Sequence, residues 1–144
     1  MKKKLYTAIG LMSGTSMDGV DLSIISSDGY DEFSNLFDDY YEYDKILQDQ
    51  LINLRDLISD EKDLSKYSEK IRELERNLTI FHAGIVNKSI EKYREPIDFV
   101  GFHGHTIFHD PKKKITNQLG DGKLLSQIIK KKVIYDFRQA DIQN

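Results

Sequence analysis

The first forty residues alternate between apolar and polar positions with the period of two that is typical of β-strands. We predict strands over Leu5–Leu11 and Val20–Ser26, and the turn signal Ser27–Gly29 separates the second strand from a third over Phe33–Tyr43. Acidic residues in the third segment predict an exposed edge of the sheet. The expected unit is a meander of three consecutive strands.

The middle of the chain changes to helical spacing. A first apolar stripe consists of Leu47, Leu51, Leu54 and Ile58, and Ser59-Asp60 interrupts it. A seven-residue rhythm then continues for about six turns and predicts one long helix. Its apolar positions are Leu64, Tyr67, Ile71, Leu74, Leu78, Phe81 and Ile85. A coiled coil is the alternative, but we expect this helix to pack on the sheet and Pro96 to end the helical region.

Strands and a helix alternate in the last third of the chain. We predict a buried strand over Ile97–Gly101, a further strand over Ile115–Leu119, a short helix over Lys123–Lys131 and a last strand over Val133–Phe137. The helix residues expected to face inward are Leu124, Leu125, Ile128 and Ile129. The order β-β-β-α-α-β-β-α-β predicts an α/β fold, in which a mixed β-sheet carries flanking helices.

Composition limits the function classes. The 144 residues are enough for one domain with a core, and 31% charged and 39% apolar residues are typical of a globular protein. A net charge of −3 gives no indication of a nucleic-acid or membrane-surface partner. Without cysteine, disulfides and thiolate metal sites are excluded. No apolar run reaches the ~18 residues of a membrane span or forms a signal peptide, so a cytoplasmic location is expected.

The segment between the first two predicted strands, Gly10–Asp21, has the composition of an anion-binding loop. Gly14 and Gly19 are expected to let the backbone approach a ligand closely and to adopt positive φ. Backbone N–H groups can then form a nest for an anion, and neighbouring Ser and Thr hydroxyls add donors. Asp18 suits a cation or a substrate hydroxyl rather than a phosphate. We interpret the segment as a turn that binds phosphate and a metal ion.

Two familiar phosphate motifs are excluded for this loop. Val20 and Asp21 stand where a P-loop needs Lys and Ser or Thr, and both P-loop and dinucleotide motifs require a helix where this chain has a strand. A flexible hairpin turn is the simpler alternative. Two-residue turns suffice for hairpins, however, whereas this loop is predicted to use about eight residues.

A histidine cluster follows the predicted strand that ends at Gly101. His103, His105, His109 and Asp110 lie at the carboxyl end of that strand, where α/β sheets bind ligands. Three interpretations stay open: a metal site, hydrogen bonding to sugar hydroxyls, or a polar loop whose imidazoles are satisfied by backbone carbonyls.

Charged residues also follow the last predicted strand. Asp136, Arg138 and Asp141 are either ligand-binding residues or a salt-bridged strand terminus. The preceding segment Gly120–Gly122 fails as a dinucleotide fingerprint because Leu125 stands where the third glycine should be, so we predict a turn that leads into a helix.

Three ordered segments together resemble the anhydro-N-acetylmuramic acid kinases, sugar kinases of the actin/hexokinase-like ATPase superfamily. They are Gly10–Asp21, Gly101–His109 and Val133–Asp141, and Asn117–Gly122 is similar to family sequence as well. The resemblance implies that residues 1–144 form the first, ribonuclease H-like domain of a two-domain kinase, truncated at its C-terminal end.

The same resemblance implies that this chain contains no catalytic residue. The family's general-base Asp is expected beyond Asn144, the last residue of the sequence. The second phosphate loop and the adenosine pocket are expected outside the chain as well. The chain alone is therefore expected to be inactive.

The activity that the resemblance implies uses ATP and Mg²⁺. ATP, water and 1,6-anhydro-N-acetylmuramic acid give N-acetylmuramic acid 6-phosphate and ADP, in bacterial peptidoglycan recycling. The partners are therefore expected to be small molecules, with a homodimer of the full-length enzyme as a further expectation. A non-catalytic remnant or binding module, and a metal-dependent hydrolase built on the histidines, are the alternative functions.

The resemblance also assigns site residues. Those for ATP phosphates are Gly14, Thr15, Ser16, Met17, Asp18, Gly19, Val20 and Asp21. Asp18 is assigned to Mg²⁺ or the sugar as well, and the substrate residues are His103, His105, Thr106 and Arg138. Arg138 is expected to pair with the lactyl carboxylate. His105 stands where the family pattern Gly-x-His-Gly-Gln-Thr has Gln, which predicts that substrate affinity changes with pH near the ordinary histidine pKa of about 6.5.

Overall fold

The structure is a computed structural model that describes residues 3–143, in which seven strands and five helices form. The strands are β1 (Tyr6–Ser13), β2 (Gly19–Ser27), β3 (Phe33–Glu42), β4 (Phe99–Phe102), β5 (His105–Asp110), β6 (Ile115–Leu119) and β7 (Val133–Tyr135). The helices are α1 (Lys45–Leu57), α2 (Glu61–Lys66), α3 (Ser68–Tyr93), α4 (Gly122–Ile129) and α5 (Phe137–Gln143). None of these helices has the length and apolar character needed to cross a membrane.

Five strands form one mixed sheet in the order β3-β2-β1-β4-β7. The first three strands are the predicted antiparallel meander, and β4 and β7 run parallel to β1. β3 lies at an edge and most of its residues are exposed, as its acidic residues predict. The α/β class, with a mixed sheet and flanking helices, is confirmed.

One face of the sheet is buried against the helices. Alternate residues of the central strands, among them Ile9, Leu22 and Val100, belong to a single apolar core. The same core includes the predicted stripe of α1 and the inner residues of α3, namely Leu47, Leu51, Leu54, Leu74, Leu78 and Val86. Met12 and Tyr40, which point the other way, are exposed. This alternation gives the sheet one buried face and one exposed face.

The predicted long helix is interrupted. α2 and α3 are separated at Tyr67, whose φ of −107° and ψ of 24° are not helical. α2 is a short turn of helix that the capping box of Asp60 and Asp63 initiates. α3 then continues past Ile85 until Arg94 adopts a left-handed conformation with φ 64°, two residues before Pro96. It packs into the core and does not form a coiled coil with another helix of residues 3–143.

Two segments differ from the predicted loops and strands. The polar stretch after β4 is strand β5, which pairs with β6 in a separate two-stranded hairpin. The last strand ends at Tyr135 rather than Phe137, because Asp136 adopts a left-handed conformation with φ 68° and α5 begins at the next residue.

The short helix α4 buries fewer residues than its pattern predicts. Leu125 and Ile129 are buried, Leu124 is half-buried and Ile128 is exposed, because the helix contacts α3 and β7 along one side only. Asp121 caps its first turn by accepting a hydrogen bond from the Leu124 amide, so the predicted turn into this helix is confirmed.

Candidate functional site

The loop between β1 and β2, residues 14–18, lies at the carboxyl end of β1. It is shorter than the predicted eight residues. The Met17 amide donates to the Gly14 carbonyl at 3.1 Å, and Met17 has a φ of 58° with its side chain buried in the core. Positive φ is therefore at Met17, and the prediction of positive φ at Gly14 and Gly19 is wrong. Burial of the Met17 side chain fixes the loop to the core although its backbone conformation is one that favours glycine.

The other amides of the loop are available to a ligand. Within residues 3–143, the amides of Thr15, Ser16 and Asp18 donate to no protein acceptor. Thr15 and Ser16 are exposed, and a Cβ added at Gly14 would meet only the Ser16 Oγ, at 3.9 Å. The loop thus offers free backbone donors, hydroxyls and an open face at Gly14, which is the donor set of an anion-binding nest.

The far side of the loop is fixed to β3 and α1. Gly19 lies so close to the Tyr41 carbonyl that any Cβ would clash with it, which gives this glycine a packing role. The Asp18 carbonyl accepts from the Tyr43 amide at 2.9 Å, and Gln48 Nε2 donates to the Met17 carbonyl at 3.2 Å. The exposed Asp18 carboxylate contacts Gln48 Nε2 at 3.4 Å and keeps its remaining acceptor sites free.

Val20 and Asp21 lie inside the sheet rather than in the loop. Both are paired with β1 and β3, and the Val20 side chain is fully buried. The Asp21 side chain is exposed on the outer face of the sheet, in the same rung as Met12 and Tyr40. Their participation in phosphate binding stays a prediction.

His103 and Arg138 contact each other at the ends of β4 and β7. Arg138 Nε donates to His103 Nε2 at 3.2 Å, and His103 Nδ1 lies 3.2 Å from the Gly104 carbonyl. Because Arg138 can only donate and the carbonyl can only accept, these bonds require an imidazole that carries its proton on Nδ1. The structure therefore brings together two of the predicted substrate residues.

A pocket of about 200 Å³ opens beside this pair. Its polar side chains include His103, Asn117, Gln118, Asp136, Arg138 and Gln139. Thr106 does not line the pocket but accepts a hydrogen bond from Gln118 Nε2 at 3.2 Å. The three amide side chains were not predicted as site residues. Asn117 and Gln118 lie in a segment that resembles family sequence, and their pairing with β5 is the signal that would have placed them beside His103.

His105 lies elsewhere, beside Ser13 at the start of the 14–18 loop. It is 1% exposed and its Nδ1 is 2.9 Å from Ser13 Oγ, which in turn bonds to the Tyr43 hydroxyl. Burial lowers the pKa of His105 below its usual value. The dependence of substrate affinity on pH stays a prediction. His105 is also absent from the pocket wall, because strand alternation turns it inward. The sequence did not predict its partners Ser13 and Tyr43.

The histidine metal site, one of the three open interpretations, does not form among the described residues. β5 extends about 3.3 Å per residue, so His109 and Asp110 lie roughly 13 Å or more from His105. The Asp110 carboxylate accepts from the amides of Lys112 and Lys113 in the hairpin turn. Within residues 3–143, no group of three or more His, Asp or Glu side chains is placed to bind a metal ion.

The catalytic Asp is expected beyond Asn144. Asn144 itself lies outside the described residues, which end at Gln143 in α5. The assignment of the general base to a segment after Asn144 therefore stays a prediction.

The loop and the pocket lie along the same edge of the sheet. β1, β4 and β7 are parallel neighbours, and the register sets Leu11 beside Phe102 and Phe102 beside Tyr135. The chain therefore leaves all three strands at one edge, into the 14–18 loop, His103 and Asp136 respectively. In open α/β sheets this edge is where ligands bind.

Comparison with known proteins agrees with this architecture. A family model described as Anhydro-N-acetylmuramic acid kinase matches residues 6–144. The anhydro-N-acetylmuramic acid kinase of Pelagibacter ubique is 54% identical over 142 residues, which are 99% of this chain and 38% of that protein. The kinases of Bradyrhizobium diazoefficiens and Agrobacterium fabrum are 37% and 36% identical and are matched over 39% and 38% of their lengths. The chain thus spans less than two fifths of these curated relatives. It belongs to the anhydro-N-acetylmuramic acid kinase family.

Proposed function

We propose that this chain supplies the phosphate loop and part of the sugar pocket of a bacterial kinase that acts on 1,6-anhydro-N-acetylmuramic acid. The reaction consumes ATP and water and yields N-acetylmuramic acid 6-phosphate and ADP, in cytoplasmic recycling of peptidoglycan. The observation that carries the proposal is the open 14–18 loop with its free amides, on the same sheet edge as the His103–Arg138 pocket.

The loop binds ATP phosphate through donors that the fold orients in advance. The amides of Thr15, Ser16 and Asp18 are free, and Gly14 leaves space for close approach. Because the sheet and α1 hold the loop, these dipoles need little reorganisation when charge develops on the transferred group.

Mg²⁺ fits beside these donors. Magnesium takes one or two carboxylates together with phosphate oxygens and water, and the exposed Asp18 carboxylate has free acceptor sites. Asp18 is therefore the residue that would hold the ion. The bound ion supplies charge neutralisation of the phosphates.

The pocket recognises the sugar through Arg138 and its neighbours. Arg138 uses Nε to bond His103, and its Nη1 is 3.9 Å from the exposed Asp141 carboxylate, which is longer than a hydrogen bond. A lactyl carboxylate can displace this weak surface pair and accept two hydrogen bonds. His103 fixes the guanidinium, and Thr106 fixes Gln118 in the pocket wall.

The greater length of the relatives indicates which parts of the active site belong to another domain. Since the chain corresponds to 38% of the Pelagibacter ubique kinase, we propose that it is the N-terminal domain of a two-domain enzyme. The catalytic base and the second phosphate loop then belong to the other domain, in the part of the protein that follows Asn144, and closure of the two domains excludes water. The same coverage favours one alternative, a binding module that keeps phosphate affinity without turnover.

Gly14→Ala tests the phosphate loop. A methyl group at this position meets open space and needs no unusual φ, so the free energy of unfolding should stay within about 0.5 kcal/mol of wild type. If phosphate uses that space, the affinity for magnesium ATP measured by titration calorimetry falls about tenfold or more, equivalent to about 1.4 kcal/mol. Gly84→Ala, on an exposed and equally open position of α3, is the matched control and keeps wild-type affinity.

Asp18→Asn tests the metal ligand in the same titration. It should lower the affinity for magnesium ATP more than that for ATP with EDTA, whereas Asp31→Asn, at the opposite end of the β2–β3 hairpin, changes neither. Wild-type affinity in both Gly14→Ala and Asp18→Asn would contradict the proposal.

A further inference from the structure

We propose that His105 is a positioning residue of the phosphate loop: its Nδ1 holds Ser13 and thereby fixes the point where the chain enters residues 14–18. The inference rests on the proposed function of that loop. It replaces the expectation that His105 contacts the sugar directly.

A chain of hydrogen bonds links the two ends of the loop. Ser13 is the last residue of β1, and its buried Oγ bonds both to His105 Nδ1, at 2.9 Å, and to the Tyr43 hydroxyl. The backbone of the same Tyr43 donates to the Asp18 carbonyl at 2.9 Å. Tyr43 therefore contacts both ends of the loop, and His105 bonds to Ser13 at the first of these ends.

Because these hydrogen bonds are buried, the loss of one partner is costly. Ser13, Tyr43 and His105 are all buried, and the Tyr43 ring packs on Phe81 with ring centroids 5.0 Å apart. Burial raises the pKa of Tyr43 to about 12, so its hydroxyl keeps its proton. Removing one partner leaves the other buried polar atoms unsatisfied, which costs more than the bond itself. An apolar residue at position 105 therefore frees Ser13 and the loop that follows it.

The imidazole nitrogen of His105 that bonds to Ser13 is Nδ1. Within residues 3–143, the Nε2 atom of His105 is buried and has no hydrogen-bond partner, so it does not tie the ring to the sugar pocket. The amide of an Asn side chain reaches the position of Nδ1, whereas the amide of Gln reaches that of Nε2. The two amides thus distinguish a contact with Ser13 from a contact on the other side of the ring.

Three variants of the full 144-residue chain, His105→Asn, His105→Gln and His105→Leu, test the inference. The probes are magnesium ATP and inorganic tripolyphosphate, the second of which reports on the loop without an adenosine or sugar contact. We expect His105→Leu to weaken both affinities about fivefold to tenfold, as the loss of a buried hydrogen bond predicts. His105→Asn should stay within about twofold of wild type, and His105→Gln should resemble His105→Leu.

His82→Leu is the matched control. His82 is equally buried, but its Nδ1 bonds the Leu78 carbonyl inside α3 and not Ser13. It should lower the melting temperature as His105→Leu does and leave both affinities unchanged. Ser13→Ala combined with His105→Leu should weaken binding no further than Ser13→Ala alone, because Ser13→Ala already removes the bond to His105 as well as the bond to Tyr43.

A second readout separates this inference from the proposed function. The amide order parameters of Thr15 and Ser16, measured by ¹⁵N relaxation without ligand, should fall in His105→Leu and not in His105→Asn or His82→Leu. If the wild-type chain binds neither probe, the phosphate assignment fails while the order parameters still decide the role of His105. Equal order parameters in wild type and His105→Leu, or better binding with Gln than with Asn, would overturn the inference.

Discussion

His82 is the buried titratable residue on α3 that faces the sheet. Its ring packs against Phe102, with centroids 5.0 Å apart, and its Nδ1 donates to the Leu78 carbonyl at 2.8 Å. Burial lowers the pKa of His82 from 6.5 to about 4, because the apolar surroundings disfavour the imidazolium. The folded protein therefore contains a neutral imidazole at pH values where the unfolded chain is protonated.

This difference predicts a pH-dependent stability. Between pH 6.5 and 4 the unfolded state binds the extra proton, so the free energy of unfolding falls as the pH is lowered through that range. From about pH 7.5 to about pH 5 the contribution of His82 should be about 2 kcal/mol. Urea denaturation of wild type and His82→Leu at both pH values measures it as the difference between the two proteins.

The comparison with His82→Leu is needed because His105 acts in the same direction. Burial also lowers the pKa of His105, and that contribution is common to both proteins and cancels. An identical loss of stability in wild type and His82→Leu would show that His82 does not contribute.

For single residues, the sequence predicted which residues belong to the loop better than it predicted backbone conformations and side-chain directions. The composition of residues 14–18 indicated a loop with free donors, because glycine allows close approach to the backbone and Ser and Thr add hydroxyl donors. It did not predict that Met17 would take the positive φ, since that depends on the core into which its side chain packs. The inward direction of His105 likewise depends on pairing with β6.

β5 is the strand that the sequence analysis missed, whereas its partner β6 has the predicted bounds Ile115–Leu119. β5 reads His-Thr-Ile-Phe-His-Asp, in which polar residues at both ends obscure the alternation, and its pairing with β6 has a bulge between Thr106 and Phe108. Local pattern cannot reveal a strand whose stability comes from a partner about ten residues away. The break between α2 and α3 was missed for the opposite reason, because the apolar rhythm continues through Tyr67.

Gly104→Ala tests how this hairpin is attached. Gly104 has a φ of 76°, and any Cβ there would clash with the carbonyl of Leu119. The substitution should lower the free energy of unfolding by at least about 2 kcal/mol, because an unfavourable φ and a backbone clash combine. Denaturant titration measures the loss, with Gly10→Ala, at an exposed and open position of β1, as the control. A loss no larger than in the control would show that the hairpin shifts without cost.

For the whole molecule, the order of elements and the family motifs together predicted the mixed sheet. Pattern alone does not specify the strand order β3-β2-β1-β4-β7, because several orders bury the same apolar residues. The strand order was therefore not predicted, and the family resemblance implied only the type of fold. The expectation that some catalytic residues lie outside this chain also comes from the family. The Pelagibacter ubique and Bradyrhizobium diazoefficiens kinases are more than twice as long as the regions that match this chain.

The proposed division into two domains predicts that the 144-residue chain does not turn over substrate by itself. One domain can supply part of the phosphate and sugar contacts but cannot enclose the reacting groups. A coupled assay for ADP release with ATP, Mg²⁺ and 1,6-anhydro-N-acetylmuramic acid should give the same rate for the chain and for Asp18→Ala. Sugar-dependent ADP release above that of Asp18→Ala would refute the division, and with it the placement of the general base beyond Asn144.

The acidic edge strand β3 affects how copies of the molecule meet in concentrated solution. An unpaired strand edge is a template for further strands and hence for fibrous aggregates. Asp38, Asp39 and Glu42 place negative charge along this edge, and hydrogen bonds from Ser23 and Asn35 lower the pKa of Asp38, so that this carboxylate stays ionised in mildly acidic solution. Two such edges repel each other, which opposes pairing of β3 with the same strand of a second molecule.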